Sequence, residues 1–279
     1  MMDVTRIQPV NSALQSSRLE KEHQLQSVFS EILSGVGHAG YMSATPLESE
    51  QPIEAEIQDS VSGWFDLEIQ GRYRAAEKPL ELGKQFGDLA VRAYQSGAYA
   101  EPKAFLNSLS ESELKTVQNV HWLAEPIDVD SLSDEGAINL LIPPPAQVDM
   151  NRDGFTQSGV GMGFRFPDST TPAKVAEAWE AATAGMSWGE RSLYELQMKL
   201  PVLFANFHLD DQGAYSHHYE PGDPEFVNPM MADDYSYGTV PRDYLAYLEA
   251  YKTQIDPLRY AQDKAFWSDF QSRLNASEG

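Results

Sequence analysis

The sequence predicts a mainly α-helical protein, an irregular multi-helix domain with long loops and at most a few short strands. Three observations support this fold class. Apolar residues recur at helical spacing in several segments of the 279-residue chain. Ser, Thr or Pro stands where many of these segments begin, and Gly or Pro stands where several end. Hydrophobic residues make up 42% of the chain, which is enough for a sizeable buried core.

The first 60 residues predict a helix that stands apart from the rest. Residues 1–16 are polar, so we expect a flexible N-terminal tail. Residues 17–34 predict an amphipathic helix, and residues 35–60 are rich in Gly, Ser, Pro and Glu, which is typical of a linker. The apolar residues at helical spacing are Leu25, Val28, Phe29, Ile32 and Leu33. We therefore expect residues 17–60 to form an appendage that docks on the body, residues 61–279, or on a partner protein.

The body is predicted to consist of short helices. Residues 61–74 fit either a strand or a helix. Ser110 and Glu113 form a capping box that should open one helix. Helices are predicted over residues 77–96, 102–109, 111–123, 133–141, 172–184, 187–207, 241–254 and 257–275. The buried side of the helix over 187–207 is predicted to be Leu193, Leu196, Leu200, Leu203 and Phe204.

The charge of the chain limits its partners. Lys and Arg total 20 against 42 Asp and Glu, and the net charge is −22. This balance disfavours nucleic acids and anionic membrane surfaces, because both are bound through basic residues. There is no cysteine, which excludes thiolate metal sites and disulfides. We expect no membrane insertion, and we expect a cytoplasmic protein by default, with signal-independent export left open.

Residues 149–160 carry the clearest chemistry in the sequence. Oxygen-bearing side chains stand at alternate positions of this segment, and a glycine, Gly154, follows the third of them. The segment resembles the EF-hand calcium loop, in which such oxygens surround a hard cation and the glycine permits a sharp turn. The resemblance implies Ca²⁺ as a cofactor. It implies ligands from the side chains of Asp149, Asn151, Asp153 and Gln157 and from the backbone carbonyl of Phe155.

The loop departs from the family in two ways. Val160 stands where the family has a bidentate Glu, so Asp168 or Glu177 would have to supply a replacing carboxylate. The segment Pro143–Pro145 precedes the loop and no helix is predicted directly after it, so the resemblance covers the loop alone. This context favours a structural calcium ion over a calcium sensor. The alternative is an Asx-rich turn that binds no metal.

A second cluster lies in residues 208–223. It combines imidazoles with carboxylates, which could bind a transition metal or supply an acid and a base. The alternative is a surface hairpin with satisfied histidines. His217 and His218 are adjacent, and in an extended segment their side chains should point in opposite directions. The polar residues concerned are His208, Asp210, Asp211, His217, His218, Glu220 and Asp223.

These features rank three functional hypotheses. The first is a calcium-binding interaction module in which the ion is structural and the N-terminal helix contacts a protein partner. The second is a metal-dependent hydrolase that uses residues 208–223. The third is an export-associated or chaperone-like bacterial protein. No residue is assigned a catalytic role, and the sequence favours a binding protein over an enzyme.

Overall fold

A computed structural model of the protein describes residues 8–278 and divides them into two compact units. Unit 1 runs to residue 151 and also contains residues 156–163, whereas unit 2 consists of residues 152–155 and the chain from residue 164 onward. The described residues form ten α-helices and two small antiparallel sheets of two strands each. The predicted fold class is therefore confirmed.

Unit 1 contains six helices and one short hairpin. The helices are α1 (Gln8–Gly35), α2 (Ile53–Glu68), α3 (Pro79–Gln95), α4 (Pro102–Ser108), α5 (Glu111–His121) and α6 (Asp134–Asn139). The hairpin consists of β1 (Thr156–Ser158) and β2 (Gly161–Gly163). Residues 1–7 of the predicted tail lie outside the described residues, and residues 8–16 already belong to α1.

Helix α1 packs in the core of unit 1. Leu25, Val28 and Phe29 are fully buried, in the same apolar cluster as Trp64. The apolar side of α1 therefore packs against other helices of unit 1, α2 among them. Helix α2 begins inside the segment that was predicted as a linker, because Ile57 and Val61 share a face with Trp64 at helical spacing.

The capping signals in unit 1 act as predicted. The backbone N–H of Ser110 donates to Glu113 Oε2 at 2.8 Å, and the backbone N–H of Glu113 donates to Ser110 Oγ at 3.4 Å. These two bonds form the capping box that opens α5. Helix α6 begins in a similar way, because Ser133 Oγ accepts the backbone N–H of Gly136 at 2.9 Å.

Unit 2 contains four helices and a second hairpin. The helices are α7 (Ala173–Thr183), α8 (Trp188–Ala205), α9 (Thr239–Tyr251) and α10 (Pro257–Glu278). The hairpin consists of β3 (Phe207–Leu209) and β4 (Tyr215–His218). Its core is aromatic: Trp179 is fully buried and meets Phe266 edge-on at 5.6 Å between ring centroids.

The buried side of α8 differs from the predicted leucine stripe. Tyr194, Met198 and Val202 are buried, whereas Leu193 and Phe204 are exposed. Tyr and Met serve as core residues here, since the Tyr194 ring stacks on an aromatic ring of α10 and its hydroxyl can reach a polar partner. The other members of the predicted stripe, Leu196, Leu200 and Leu203, are half-buried beside this face. Across residues 8–278, none of the helices combines the length and apolarity that a bilayer crossing requires.

Candidate calcium loop and histidine hairpin

Helix α6 contacts both ends of the predicted calcium loop, and these two ends belong to unit 1. The Glu135 carboxylate accepts the backbone N–H of Met150 at 3.0 Å and of Asn151 at 3.3 Å through Oε2. Its other oxygen accepts the backbone N–H of Gln157 at 2.7 Å. A buried carboxylate that receives several backbone N–H groups is well satisfied. Glu135 therefore ties the start of the loop to its end.

Asn139 and Gln147 form further hydrogen bonds with the two loop ends that Glu135 joins. Asn139 Nδ2 donates to the backbone carbonyls of Val148 at 2.8 Å and of Gln157 at 2.7 Å, and its Oδ1 accepts Val148 N–H at 2.9 Å. Gln147 Nε2 donates to the Asn139 carbonyl and to Ser158 Oγ, each at 2.9 Å. These hydrogen bonds position the two ends of the loop.

His121 belongs to the same network and is neutral. Burial and the nearby Arg72 charge together lower its pKa to about 3, against the opposing effect of a hydrogen bond to the Leu140 carbonyl. Nε2 lies 3.0 Å from Leu140 O, and Nδ1 lies 3.1 Å from Gln147 Nε2. An imidazole that donates through Nε2 leaves Nδ1 as an acceptor, and the two hydrogens of Gln147 Nε2 are shared among Nδ1, Asn139 O and Ser158 Oγ. No local pattern in the sequence points to His121, because the residues around it come from distant segments.

The centre of the loop belongs to unit 2 and turns tightly. Arg152 and Gly154 both have left-handed backbones, with φ of 60° and 93°. Between them, Asp153 Oδ1 accepts the backbone N–H of Phe155 at 2.8 Å. Asn228 Nδ2 donates to the Arg152 carbonyl at 2.9 Å. A Cβ on Gly154 would lie 3.1 Å from the same Asn228 amide, so the glycine is needed for close packing as well as for its φ.

The predicted ligands differ in burial and in the unit to which they belong. Asp149 is 4% exposed, Asn151 is exposed and Gln157 is half-buried, and all three lie in unit 1. Asp153 and Phe155 are half-buried and lie in unit 2. The side-chain oxygen of Gln157 accepts a hydrogen bond from the hydroxyl of the capping serine of α6. An amide oxygen has two lone pairs, so this bond leaves one for a further contact.

Asp168, one of the carboxylates considered for the missing loop position, is committed to a buried network in unit 2. Its Oδ1 accepts Thr170 N–H at 2.9 Å and the hydroxyls of Thr170 at 2.8 Å and Thr171 at 2.9 Å, and its Oδ2 pairs with Lys199. Burial raises the pKa of Asp168, but Lys199 and the two hydroxyls outweigh it and the pKa is lowered. Glu177, the other candidate, is exposed on α7.

The histidine cluster forms a hairpin, but among the described residues His208 Nε2 has no hydrogen-bond partner, unlike the satisfied histidines of the predicted hairpin. His208 pairs with His217, and Phe207 pairs with His218, so the two adjacent histidines lie on opposite faces. The rings of His208 and His217 stack at 4.6 Å between centroids, with 11° between their planes. His218 stacks on Phe207 at 5.2 Å.

Within residues 8–278, no group of three or more His, Asp and Glu side chains lies close enough to hold a metal ion. The predicted calcium loop contributes only two side chains of these types, Asp149 and Asp153, and draws its other oxygens from amides and a backbone carbonyl. The hairpin contributes the His208–His217 pair. A catalytic zinc site uses three protein ligands, so the hydrolase hypothesis gains no support from this pair. No protein-family model, no curated protein and no solved structure matches the chain.

Proposed function

We propose that this protein binds Ca²⁺ through residues 149–160 and that the ion stabilises the folded loop. The ligands in this proposal are the side chains of Asp149, Asn151, Asp153 and Gln157 and the backbone carbonyl of Phe155. These residues offer oxygen atoms alone, which is the donor type that Ca²⁺ prefers. The overall charge of −22 favours cation binding in general.

The observation that carries this proposal is the backbone of Arg152. A non-glycine residue with a left-handed backbone is uncommon and costs about 1–2 kcal/mol. Arg152 has φ of 60°, and the second left-handed residue, Gly154, follows two positions later. Strain of this kind clusters at ligand sites. Here it falls on Arg152, which directly precedes Asp153, the central predicted ligand.

The expected affinity is modest. Five protein oxygens fall short of the six to eight that Ca²⁺ takes, so water completes the shell. Val160 is 67% exposed and cannot replace the bidentate Glu of the EF-hand loop. Glu135 uses both of its carboxylate oxygens to hold backbone N–H groups of the loop. We therefore expect a Kd on the order of 0.1–1 mM, which is the range of extracellular calcium modules.

The test is a thermal melt of the full chain in chelator, in Ca²⁺ and in Mg²⁺. A ligand at about ten to one hundred times its Kd stabilises a protein by about 1.4–2.7 kcal/mol. For a chain of this size this corresponds to a rise in Tm of roughly 3–10 °C. Mg²⁺ should have a smaller effect, because it demands octahedral geometry and gives up its water reluctantly. The double variant Asp149→Ala, Asp153→Ala should lose the calcium response.

The chain offers a matched control in another Asx turn. Asp210 Oδ1 accepts the backbone N–H groups of Gln212 and Ala214, each at 2.9 Å, and Gly213 follows with a φ of 76°. The variant Asp210→Ala should keep the full calcium response. If Asp210→Ala and the double variant lost the calcium-dependent rise in Tm to the same extent, the rise would come from the overall negative charge and not from this loop. No rise in wild-type Tm at about 10 mM Ca²⁺ would refute the proposal.

A further inference from the structure

The β3–β4 hairpin places two imidazoles side by side. His208 and His217 are directly opposite in the antiparallel register, and residues so paired have Cβ atoms about 4.5–5.5 Å apart on one face. Their rings are 4.6 Å apart and nearly parallel. Zinc–nitrogen bonds are about 2.0–2.1 Å long. The nitrogen lone pairs of stacked rings lie in parallel planes, so both rings must rotate about χ2 to direct one nitrogen each at a single ion.

Each of the two rings has one nitrogen that is suited to metal binding. His208 Nε2 is buried and has no hydrogen-bond partner among the described residues. A buried polar atom without a partner calls for an explanation, and a bound ion is one. His217 Nδ1 lies 3.0 Å from Ser216 Oγ. Histidines that bind metals usually donate their second N–H to an oxygen in this way, which leaves Nε2 to carry the lone pair.

The base of the hairpin is fixed in unit 2. Tyr219 meets both rings edge-on, at 5.0 Å from His208 and 5.2 Å from His217. Its backbone N–H donates to the Asn206 carbonyl at 3.0 Å, and Asn206 Nδ2 donates to the Val227 carbonyl at 2.8 Å. The two imidazoles are therefore presented by an anchored segment, and little further ordering is required for binding.

The surrounding sequence is strongly acidic. No lysine or arginine occurs from residue 200 to residue 241. The acidic residues of this segment are Asp210, Asp211, Glu220, Asp223, Glu225, Asp233 and Asp234. A local negative potential attracts dications and disfavours competing anions. No positive side chain of the segment itself offsets that potential.

We propose that His208 and His217 form a binding site for a divalent transition-metal ion, with Zn²⁺ as the representative ion. Imidazole nitrogen suits zinc, copper and nickel, whereas Ca²⁺ and Mg²⁺ prefer oxygen. The described residues bring no third His, Asp or Glu into a cluster here, so water fills the remaining positions. The site is separate from residues 149–160 and does not depend on the calcium proposal.

The chain provides a control one residue away. His218 lies on the opposite face of the hairpin, where Nδ1 is 2.6 Å from the Tyr215 hydroxyl and Nε2 is 2.5 Å from Glu220 Oε1. Both of its nitrogens are engaged, so it should contribute nothing to the site. The experiment is a calorimetric titration of the untagged full chain with Zn²⁺. The Kd should rise at least about tenfold in His217→Ala and stay within about twofold of wild type in His218→Ala.

Ring-proton spectra identify the ligands directly, and they do not depend on a variant of the half-buried His208. Added Zn²⁺ should shift the ring signals of His208 and His217 and leave those of His218 in place. The proposal is overturned if His217→Ala and His218→Ala raise the Kd for Zn²⁺ to the same extent. It is also overturned if the variant Asp149→Ala, Asp153→Ala abolishes zinc binding, or if wild type binds no Zn²⁺ at about 1 mM.

Discussion

Gly136 and Gly159 are in direct backbone contact within unit 1. The N–H of Gly159 donates to the Gly136 carbonyl at 3.0 Å. A Cβ built on Gly136 would lie 2.1 Å from the Gly159 carbonyl oxygen. No side chain fits in that space, so the residue in the first turn of α6 must be glycine for the end of the loop to reach the helix.

The first prediction concerns this contact. Gly136→Ala should lower the free energy of unfolding of unit 1 by about 2–3 kcal/mol, because backbone atoms must move apart. Gly189→Ala is the matched control: this glycine lies in the first turn of α8 with open space around its Cα. Its replacement should be neutral or stabilising by up to about 1 kcal/mol. Native-state hydrogen exchange measures both, since it reports the stability of each region separately. Equal effects of the two substitutions would contradict the contact.

The second prediction concerns Glu135, which joins the two ends of the loop by hydrogen bonds. Glu135→Gln leaves one acceptor oxygen and turns an NH₂ group towards a backbone N–H of the loop. We expect a loss of about 2–4 kcal/mol in unit 1 and weaker calcium binding, because unpaired buried donors are costly. Glu177→Gln, at an exposed site on α7, should change stability by less than about 0.5 kcal/mol. Hydrogen exchange and the calcium melt give the two readouts. Unchanged exchange rates of the loop amides in Glu135→Gln would show that Glu135 does not hold the two ends of the loop together.

The third prediction concerns pH. Burial of His121 lowers its folded pKa to about 3 from an ordinary value of 6.5. As the pH falls below 6.5, the unfolded chain binds a proton that the folded chain does not bind. Stability should therefore fall by about 1.4 kcal/mol per pH unit below that value, until the pH approaches 3. His121→Gln keeps a donor and an acceptor but does not titrate, so its stability should fall less steeply between pH 6.5 and 5. Parallel profiles in urea unfolding would refute this assignment.

The fourth prediction concerns the buried pair of unit 2. Lys199 and Asp168 are 2% and 4% exposed at their side chains. Lys199→Met should destabilise unit 2 by about 3–5 kcal/mol, because it leaves a buried carboxylate without its counter-charge. Lys264 pairs with Glu249 at the surface, where water screens the interaction, so Lys264→Met should have a far smaller effect. Exchange of the α8 amides measures the difference. Similar effects in the two variants would mean that the buried pair contributes no more than a surface one.

The helices that the sequence predicts correctly begin with local signals. The capping box at Ser110 and the capping serine of α6 act within three residues, and the structure contains both. Helix α2 was partly missed, since its first turns are polar and its apolar residues become a face only when α1 lies against them. The aromatic face of α8 was missed for the same reason: the partner of Tyr194 is Phe266, which lies far away in sequence.

The candidate sites show the same limit. Alternating oxygen-bearing residues are visible in the sequence, and the left-handed backbone of Gly154 fits the turn predicted there. The left-handed backbone of Arg152 was not predicted. Glu135, Asn139 and Gln147 were not predicted to contact the loop, because their hydrogen bonds join positions that no local pattern relates. The opposite orientation of His217 and His218 was predicted from strand alternation alone. Which of them faces His208 depends on the register, and a bulge after His208 sets that register.

The discontinuous boundary between the units has a consequence for synthesis. The chain passes from one unit to the other after residues 151, 155 and 163. On the ribosome, unit 1 therefore cannot be completed when α6 emerges. The β1–β2 hairpin, whose Gly159 contacts Gly136 of α6, has not yet been synthesised. Residues 152–155 also emerge before Asn228, which donates a hydrogen bond to the Arg152 carbonyl within unit 2. A single cut after residue 163 keeps all of unit 1 in one fragment but separates residues 152–155 from the rest of unit 2, so no single cut can release unit 2 whole.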